Sequence, residues 1–348
     1  MDHSAVTTAR EIGDSLLRPQ AERVDVEGVP RSHIDALGDA GLLGIVAPAD
    51  AGGADASLAV MRAVTEELAA ADTSTWFVWT QHHTPVRTLA RSSNEQLRER
   101  WLPELGQRAL AGVAFTHLRR PGPPPVTATR TNSGWLISGD IAWLTSWELA
   151  DVFLIGAQAG DDVVWVLVPL RGRREVTARP LALAAMQGTS TMQVHLDALA
   201  VSEDEVVLVE DLTAWRETDA LRSADVSFSV FGVTRDALRR LRERNESAPA
   251  AAADAMEQRL DTVRTAASAL PDAPSDEDID ERLRLRAEAH VLALESTAAL
   301  VAAGAGRSML LDQAAQRLAR TALFLLVQGQ TAQVREATLR LIATRTGS

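Results

Sequence analysis

The chain has 348 residues, a net charge of −12, no Cys and no Tyr, and all 35 of its basic residues are Arg. The missing residue types exclude disulfides, Cys-ligated metals, Schiff-base lysines and P-loops, and the acidic charge argues against nucleic acid as the main ligand. No apolar run approaches the roughly 18 residues of a membrane span, and residues 1–4 carry no signal-peptide pattern. We therefore expect a cytoplasmic protein that binds neither nucleic acid nor membrane.

The first 110 residues are predicted to be helical. Apolar residues recur every three to four positions in several segments, and Gly and Pro residues between these segments mark loops. The predicted helices are Ala9–Val26, Ser32–Leu43, Leu58–Ala71 and Asn94–Glu104. We expect an N-terminal helical domain over residues 1–110.

Residues 111–210 have the pattern of β-strands. Val and Thr alternate with polar residues, and Gly-containing turns separate the short runs. The predicted strands are Thr127–Arg130, Trp135–Ser138, Val163–Val168 and Met192–Leu196. A β-barrel or β-sandwich domain fits this length and pattern.

From residue 211 to residue 348 the helical pattern returns in long segments rich in Ala and Leu. The predicted helices are Ala214–Asn245, Ala251–Ala269, Asp276–Ala302 and Ser308–Thr344. Four such helices in a row indicate a four-helix bundle. The order of helices, strands and helices defines an α+β protein and excludes folds in which strands and helices alternate.

Four motifs resemble those of the acyl-CoA dehydrogenase family of flavoproteins, and the resemblance covers almost the whole chain. The strongest is Gly134–Ser146, with the sequence GWLISGDIAWLTS, followed by Ala150 and Asp151. The others are IVAPADAGG at Ile45–Gly53, GVAFTHL at Gly112–Leu118 and MQGTST at Met186–Thr191. The resemblance implies a helical domain, a β-domain and a four-helix bundle.

The resemblance also implies an FAD cofactor and names the residues that would bind it. In the family, a Thr after the first strand contacts the pyrimidine edge of the flavin; Thr116 matches it and follows Phe115. A Trp packs on the flavin and a Thr two residues later bonds near N5, which are the roles implied for Trp143 and Thr145. Other residues implied at the cofactor are Leu144, Gly304, Gly306 and Thr331.

The resemblance fails at the catalytic base. The family's Glu on the last helix corresponds to Gly329, and its alternative position on the first bundle helix corresponds to Arg222. The catalytic base is therefore unknown from the sequence. Asp225 and His117 are weak substitutes, as are Glu217 and Asp219, and for each carboxylate a solvated or Arg-paired side chain is the alternative.

Four residues are candidates for substrate binding. Arg119 and Arg120 precede Pro-rich residues 121–125, where they suit the phosphate of CoA or phosphopantetheine; a solvated loop is the alternative. Trp79 and His83 lie where the family's acyl pocket is lined, and a place in the core is the alternative. No second ligand cluster accompanies His82 and His83, so we expect no metal.

Three functions are open. The first is a flavin-dependent oxidoreductase acting on an acyl thioester of CoA or of a carrier protein. The second is a flavin monooxygenase, which needs no Glu on the last helix. The third is a non-catalytic subunit that pairs with an active paralogue. The family builds its FAD site across an interface between bundles, so a homodimer or homotetramer is implied for the enzymes.

Overall fold

The computed structural model describes residues 2–345, and its first part is helical as predicted. The helices are α1 Asp2–Ile12, α2 Ala21–Glu27, α3 Arg31–Asp39, α4 Leu58–Ala71, α5 Thr73–Ala90 and α6 Glu95–Gln107. The predicted helix Ala9–Val26 is interrupted by a wide turn at Gly13–Leu17 and a tight turn at Arg18–Gln20. Pro19 contributes to this break because it has no N–H to donate.

Polar side chains fix where the next helices begin. The Ser57 hydroxyl accepts a hydrogen bond from the N–H of Val60 at the start of α4, and Asp72 accepts from Ser74 and Thr75 at the start of α5. Such caps satisfy backbone donors that have no partner inside the helix. The strand and helix patterns did not predict α5, because most of its faces are buried and its periodicity is correspondingly weak.

Eight strands form one sheet over the middle of the chain. They are β1 Ala111–Ala114, β2 Val126–Thr131, β3 Gly134–Leu144, β4 Val152–Ala159, β5 Asp162–Val168, β6 Val176–Pro180, β7 Met192–Ser202 and β8 Val206–Asp211. The order across the sheet is β6-β7-β3-β2-β4-β5-β8, and β1 pairs with β4 in parallel. The four predicted strands correspond to β2, β3, β5 and β7. The pattern missed β4 because residues 152–157 are all buried and do not alternate.

The C-terminal region is helical, but two of the four predicted helices are each divided in two. The helices are α7 Leu212–Ala224, α8 Ser229–Arg242, α9 Ser247–Ala269, α10 Ile279–Gly304, α11 Ala314–Leu325 and α12 Ala332–Arg345. The prediction of one helix over Ala214–Asn245 and of one over Ser308–Thr344 was therefore wrong. The second break contains Gly329 with a φ of +62°, a left-handed conformation that ends helices and favours glycine.

Helix α10 is the centre of the C-terminal region and packs against α8, α9, α11 and α12. By length and composition alone, Ile279–Met309 is apolar enough to cross a membrane. Its packing against four helices accounts for that composition, because a helix surrounded by others is apolar on most faces.

An ionic cluster joins the first and last helical regions. The carboxylate of Asp236 on α8 is fully buried and lies 2.7 Å from Arg18, 2.6 Å from Arg239 and 3.0 Å from Arg240. Because Arg18 lies between α1 and α2, this carboxylate links segments more than 200 residues apart. The cluster holds the N-terminal helices against the bundle.

Candidate functional site

The two motifs predicted to hold the flavin lie side by side. Gly112 on β1 packs so closely on the end of β3 that a Cβ on it would lie 3.1 Å from the carbonyl oxygen of Thr145. The turn Thr116–Arg119, which follows β1, also contacts β3. The fold therefore brings together the residues that the sequence motifs placed near one cofactor.

Trp143 presents an apolar surface at this position. Half of its surface is exposed, whereas Leu144 is fully buried. The pairing of β3 with β7 is irregular between Ile141 and Leu144, where β3 has one extra residue. Such a β-bulge redirects a side chain and is common beside active sites. An indole that is exposed in this way can pack on a planar ligand.

The other two residues of the β1 motif differ in exposure. Thr116 is exposed, so its hydroxyl is free to contact a ligand. Phe115 is half-buried, and its ring meets Trp215 edge to face with the ring centroids 5.8 Å apart. The ring of Phe115 therefore packs within the protein, under the exposed Thr116.

Three threonine hydroxyls form a directional chain of hydrogen bonds that begins at Thr145. The Thr189 hydroxyl donates to the carbonyl of Met186 at 2.7 Å, so it must accept from Thr191 at 2.8 Å. Thr191 must then accept from Thr145 at 3.1 Å. Since each hydroxyl has one proton, the proton of Thr145 is used within the protein. Thr145 therefore offers a ligand its oxygen lone pairs, which accept hydrogen bonds.

The backbone holds this threonine chain in place. The N–H groups of Ser146 and Trp147 donate to the carbonyls of Thr189 and Ser190, both at 3.0 Å. Ser146 and Ser190 have φ values of +67° and +50°, which residues other than glycine rarely adopt. Backbone conformations of this kind cluster at functional sites.

Gly304, one of the residues implied for the dinucleotide, borders a cavity of about 310 Å³ between α8 and α10. A Cβ on Gly304 would lie 2.0 Å from Oγ of Ser308 and 2.7 Å from Nη2 of Arg244, so these side chains would have to move, whereas Gly306 faces open space. The cavity is also lined by Arg240, Arg244 and Arg307. Arg240 and Arg244 are half-buried and Arg307 is exposed, and arginines grouped in this way suit the phosphates of a dinucleotide.

No carboxylate stands at either position where the family carries its base. Gly329 is half-buried in the turn between α11 and α12, and Arg222 is exposed on α7. Thr331 caps α12, with its hydroxyl accepting from the N–H of Val334 at 3.3 Å. Gly329 and Thr331 therefore provide no carboxylate that could act as a catalytic base before α12.

Three of the four substitutes suggested by the sequence are engaged in other contacts, and the fourth, Glu217, is exposed on α7. Asp225 pairs with Arg282, although burial raises the pKa of its carboxyl group. Asp219 receives two hydrogen bonds from Arg119, at 2.6 and 2.8 Å. His117 is buried, its Nε2–H donates to the carbonyl of Gly156 at 2.6 Å, and burial lowers its pKa. Their catalytic roles remain predictions.

Sequence reasoning missed Arg286 on α10, which lies next to Gly329. Its guanidinium donates to the carbonyls of Ser223, Asp225 (3.2 Å) and Gln328 (2.7 Å). Burial, aided by Arg119, lowers its pKa to about 10, so it is charged at neutral pH. The signal in the sequence is the absence of an acidic residue three or four positions away. By contrast, Arg284 pairs with Glu281 and Glu288.

Two of the substrate candidates lie in the core. Trp79 is fully buried and its indole N–H donates to the carbonyl of Leu42 at 2.9 Å. The buried His83 ring meets Trp79 edge to face at 4.2 Å, and burial lowers its pKa, so it is neutral. Both positions agree with the alternative interpretation of these residues as core.

The other two candidates lie at the surface. Arg119 is engaged with Asp219 and lies over the ring of Phe115 at 5.3 Å, whereas Arg120 is exposed. Of this pair, Arg120 has the free guanidinium. Within residues 2–345 no three His, Asp or Glu side chains come together as metal ligands.

Comparison with known proteins finds one family model and two relatives that match parts of the chain. Residues 2–108 match the family model of the acyl-CoA dehydrogenase N-terminal domain. A relative from Pseudomonas putida, named probable FMNH2-dependent monooxygenase SfnC, is 33% identical over 104 residues, which are 30% of this chain and 26% of that protein. Benzylmalonyl-CoA dehydrogenase from Aromatoleum aromaticum is 27% identical over 161 residues, 44% of this chain and 43% of that protein. These matches span less than half of each relative.

Solved structures match over nearly the full length. Glutaryl-CoA dehydrogenase from Mycobacterium smegmatis, in complex with FADH2, has a TM-score of 0.82 at 19% identity and covers 98% of this chain and 94% of that one. Dibenzothiophene monooxygenase from Paenibacillus sp. A11-2 has a TM-score of 0.78 at 20% identity over 96% of both chains; the same enzyme is known in an FMN-bound form. At these identities the likeness shows the fold.

The fold is that of flavin-dependent dehydrogenases and monooxygenases, and it places the exposed Trp143 beside Thr145. Residues 2–108 belong to the acyl-CoA dehydrogenase N-terminal domain family, and the likeness of the whole fold supports the resemblance inferred from the sequence, that of a divergent acyl-CoA dehydrogenase without the usual catalytic Glu. Its relatives include dehydrogenases and a flavin monooxygenase, and relatives bind flavin as FADH2 or FMN. The exposed indole and the hydroxyls of Thr116 and Thr145 fit such a ring.

Proposed function

We propose that the protein is a flavin-dependent oxidoreductase with FAD as its cofactor. The observation that carries the proposal is the exposed Trp143, set beside the directional chain of threonine hydroxyls that begins at Thr145. A bound flavin supplies the two-electron chemistry. Trp143 would support the ring on one face, Thr145 would accept a hydrogen bond, and Thr116 would contact the polar edge of the ring.

We propose an acyl thioester, of CoA or of a carrier protein, as the substrate. Support comes from the named substrates of relatives, which are benzylmalonyl-CoA and glutaryl-CoA. The exposed Arg120 next to the Pro-rich loop is a free cation suited to the phosphate of either carrier. The cytoplasm is the location we propose for this reaction.

A specific observation favours a second candidate, a flavin monooxygenase. Removal of a proton from the carbon next to a thioester needs a positioned base, and the base positions hold Gly329 and Arg222 instead. Thr145 accepts rather than donates, which suits the N–H of a reduced flavin. Both features agree with a reaction that starts from reduced flavin and needs no carboxylate.

Self-association is part of the proposal. Exposed apolar side chains lie before, on and just after α11: Met309, Leu310, Leu311, Leu323 and Val327. A surface patch of this kind marks an interface with another chain. We propose a second copy of the same chain as its occupant, giving a homodimer or a homotetramer built from dimers. An active paralogue in its place would correspond to the non-catalytic interpretation.

An absorption titration with FAD, followed by anaerobic substrate, tests the proposal. The oxidised flavin has bands near about 370 and about 450 nm, and we expect them to shift when the protein binds FAD. Bleaching by butyryl-CoA without oxygen, together with exchange of the proton next to the thioester in D2O, would select the dehydrogenase. Substrate oxygenation that depends on added reductant would select the monooxygenase. A protein that leaves the spectrum of FAD unchanged would contradict both and favour a non-catalytic subunit.

A further inference from the structure

Arg286 is a buried cation without a carboxylate partner. Only 4% of its surface is exposed, and none of the ion pairs within residues 2–345 includes it. Its guanidinium contacts three backbone carbonyls, while its Nε–H has no hydrogen-bond partner within the same residues. A charge taken out of water in this way is costly unless it is paired and fully hydrogen-bonded. The arrangement therefore lacks one anionic partner.

A second unpartnered polar atom lies one helical turn further along α10. His290 is buried, and its Nδ1 has no partner in the described part of the chain. Burial, together with the charge of Arg286, lowers the pKa of His290 to about 3, so its imidazole is neutral. A neutral imidazole whose Nδ1 carries the proton donates a hydrogen bond. The Nε–H donor of Arg286 and an unpartnered imidazole nitrogen, which donates when it carries the proton, therefore lie on adjacent turns of one helix.

The charged groups nearby do not supply the missing anion. Asp219 is paired with Arg119, which itself contributes positive potential at Arg286. Asp225 offers Arg286 its carbonyl oxygen, while its carboxylate pairs with Arg282. Both carboxylates thus form their ion pairs with other arginines, although the negative charge of Asp225 also raises the pKa of Arg286 against the effect of burial.

Gly329 opens the space beside this guanidinium. A Cβ on Gly329 would stand 3.7 Å from Nη2 of Arg286 with no nearer heavy atom, and Gly329 itself is half-buried. The position of a first side-chain carbon is therefore open next to the cation. A planar oxyanion in this volume can bind the Nε–H and Nη2–H edge of the guanidinium with two oxygens.

We propose that this pocket binds a carboxylate or a similar planar oxyanion of the substrate, with Arg286 as its main partner and Gly329 as the residue that leaves room for it. The inference rests on the proposed function only in taking the ligand to be part of the substrate. In this proposal the negative charge beside Arg286 belongs to the ligand, whereas in a dehydrogenase of the family it belongs to the Glu side chain at the position of Gly329.

Butanoate and the uncharged butanamide are matched probes for the pocket. Calorimetric titration of the flavin-free protein should show binding of butanoate and at least tenfold weaker binding of butanamide. Gly329→Asp and Gly329→Asn form the matched variant pair, because both side chains tolerate a positive φ and differ only in charge. We expect both variants to bind butanoate at least tenfold more weakly than the natural protein, because either side chain fills the volume that glycine leaves for the ligand.

Thermal unfolding without ligand shows whether the variants fold and tests the contact with Arg286 independently of binding. Gly329→Asp should melt at a higher temperature than Gly329→Asn, and the difference should vanish when both carry Arg286→Gln. Butanoate binding by both variants that equals that of the natural protein, or no discrimination between the two probes by the natural protein, would overturn the proposal. Flavin titration of the same samples keeps the two proposals separate. Flavin binding without butanoate binding contradicts only the oxyanion pocket, and the reverse result contradicts only the flavin proposal.

Discussion

The guanidinium of Arg286 stands 3.7 Å from the position that a Cβ would take on Gly329. Where family members carry a carboxylate that removes a proton, this chain has a glycine and a buried cation. The pKa of Arg286, lowered to about 10 by burial, leaves the group protonated at neutral pH. Proton removal by a carboxylate at this position is therefore not part of its chemistry.

Replacing Trp143 tests the surface on which the flavin ring would pack. Trp143→Ala should weaken FAD binding about tenfold or more, because stacking on an aromatic side chain contributes about 1–3 kcal/mol. Trp143→Phe should restore part of the loss. Fluorescence titration measures the dissociation constants, and Trp101→Ala, on the half-exposed side of α6, is the control. Equal affinity in Trp143→Ala and the natural protein would remove Trp143 from the site.

The threonine chain predicts a preference between redox states of the flavin. In Thr191→Val the hydroxyl of Thr145 loses its acceptor and regains a free proton for a ligand. One neutral hydrogen bond contributes about 1 kcal/mol, so affinity for oxidised relative to reduced flavin should rise about fivefold. The two affinities come from aerobic and anaerobic titrations. Thr129→Val, on the exposed face of β2, should leave the ratio unchanged; a ratio unaffected by Thr191→Val would contradict the direction of the chain.

Asp236 predicts a large contribution to stability. Asp236→Asn leaves Arg18, Arg239 and Arg240 without a shared carboxylate, and removal of one partner from a buried ionic group costs about 3–5 kcal/mol. Urea unfolding at pH 7 measures the loss. Asp254→Asn, which breaks a surface pair with Arg242, should cost less than about 1 kcal/mol. Similar losses in the two variants would show that the buried cluster contributes little.

The same carboxylate predicts how stability depends on pH. Burial works to raise the pKa of Asp236, but Arg240 and Arg317 hold it below its ordinary value. A lowered pKa means that the stabilisation is present above the unfolded-state pKa of about 3.9 and is lost as pH falls through the folded-state value. The difference between the natural protein and Asp236→Asn should therefore shrink below about pH 4. A difference that stayed constant down to pH 2 would contradict this assignment.

The exposed apolar residues predict self-association. Leu311, with 61% of its surface exposed, is the clearest position to test. Leu311→Asp should shift the sedimentation equilibrium toward monomer, because a charge at the centre of an apolar interface is poorly solvated. Val209→Asp, an exposed position on β8, is the control and should leave the assembly unchanged. A natural protein that is monomeric at micromolar concentration would contradict the proposed interface.

The sequence predicted the succession of helices, strands and helices, because each pattern depends on local periodicity. It failed where burial removes periodicity, as in β4, or where the chain turns within a helical pattern, as at Asp225–Phe228 and Gly329. It named Trp143, Thr116 and Thr145 through their motifs. It could not predict that Thr191 and Thr189 set the direction of the Thr145 hydrogen bond. That direction depends on the tight turn at Gln187–Thr189, which precedes β7.

Arg286 shows the other limit of sequence reasoning. Its partners are backbone carbonyls from the junction of α7 and α8 and from the turn before α12. A pattern of side chains in the sequence cannot predict such partners. The resemblance directed attention to the missing Glu at position 329 and not to the cation beside it. Only the three-dimensional packing of α10 against both breaks brings the two together.

Titration of the purified protein with oxidised and with reduced FAD tests the central claim most directly. The account predicts that FAD binds, that its spectrum shifts, and that the reduced form binds more tightly, because Thr145 accepts a hydrogen bond. An absence of binding in both redox states would contradict the assignment of this chain as a flavin-dependent oxidoreductase.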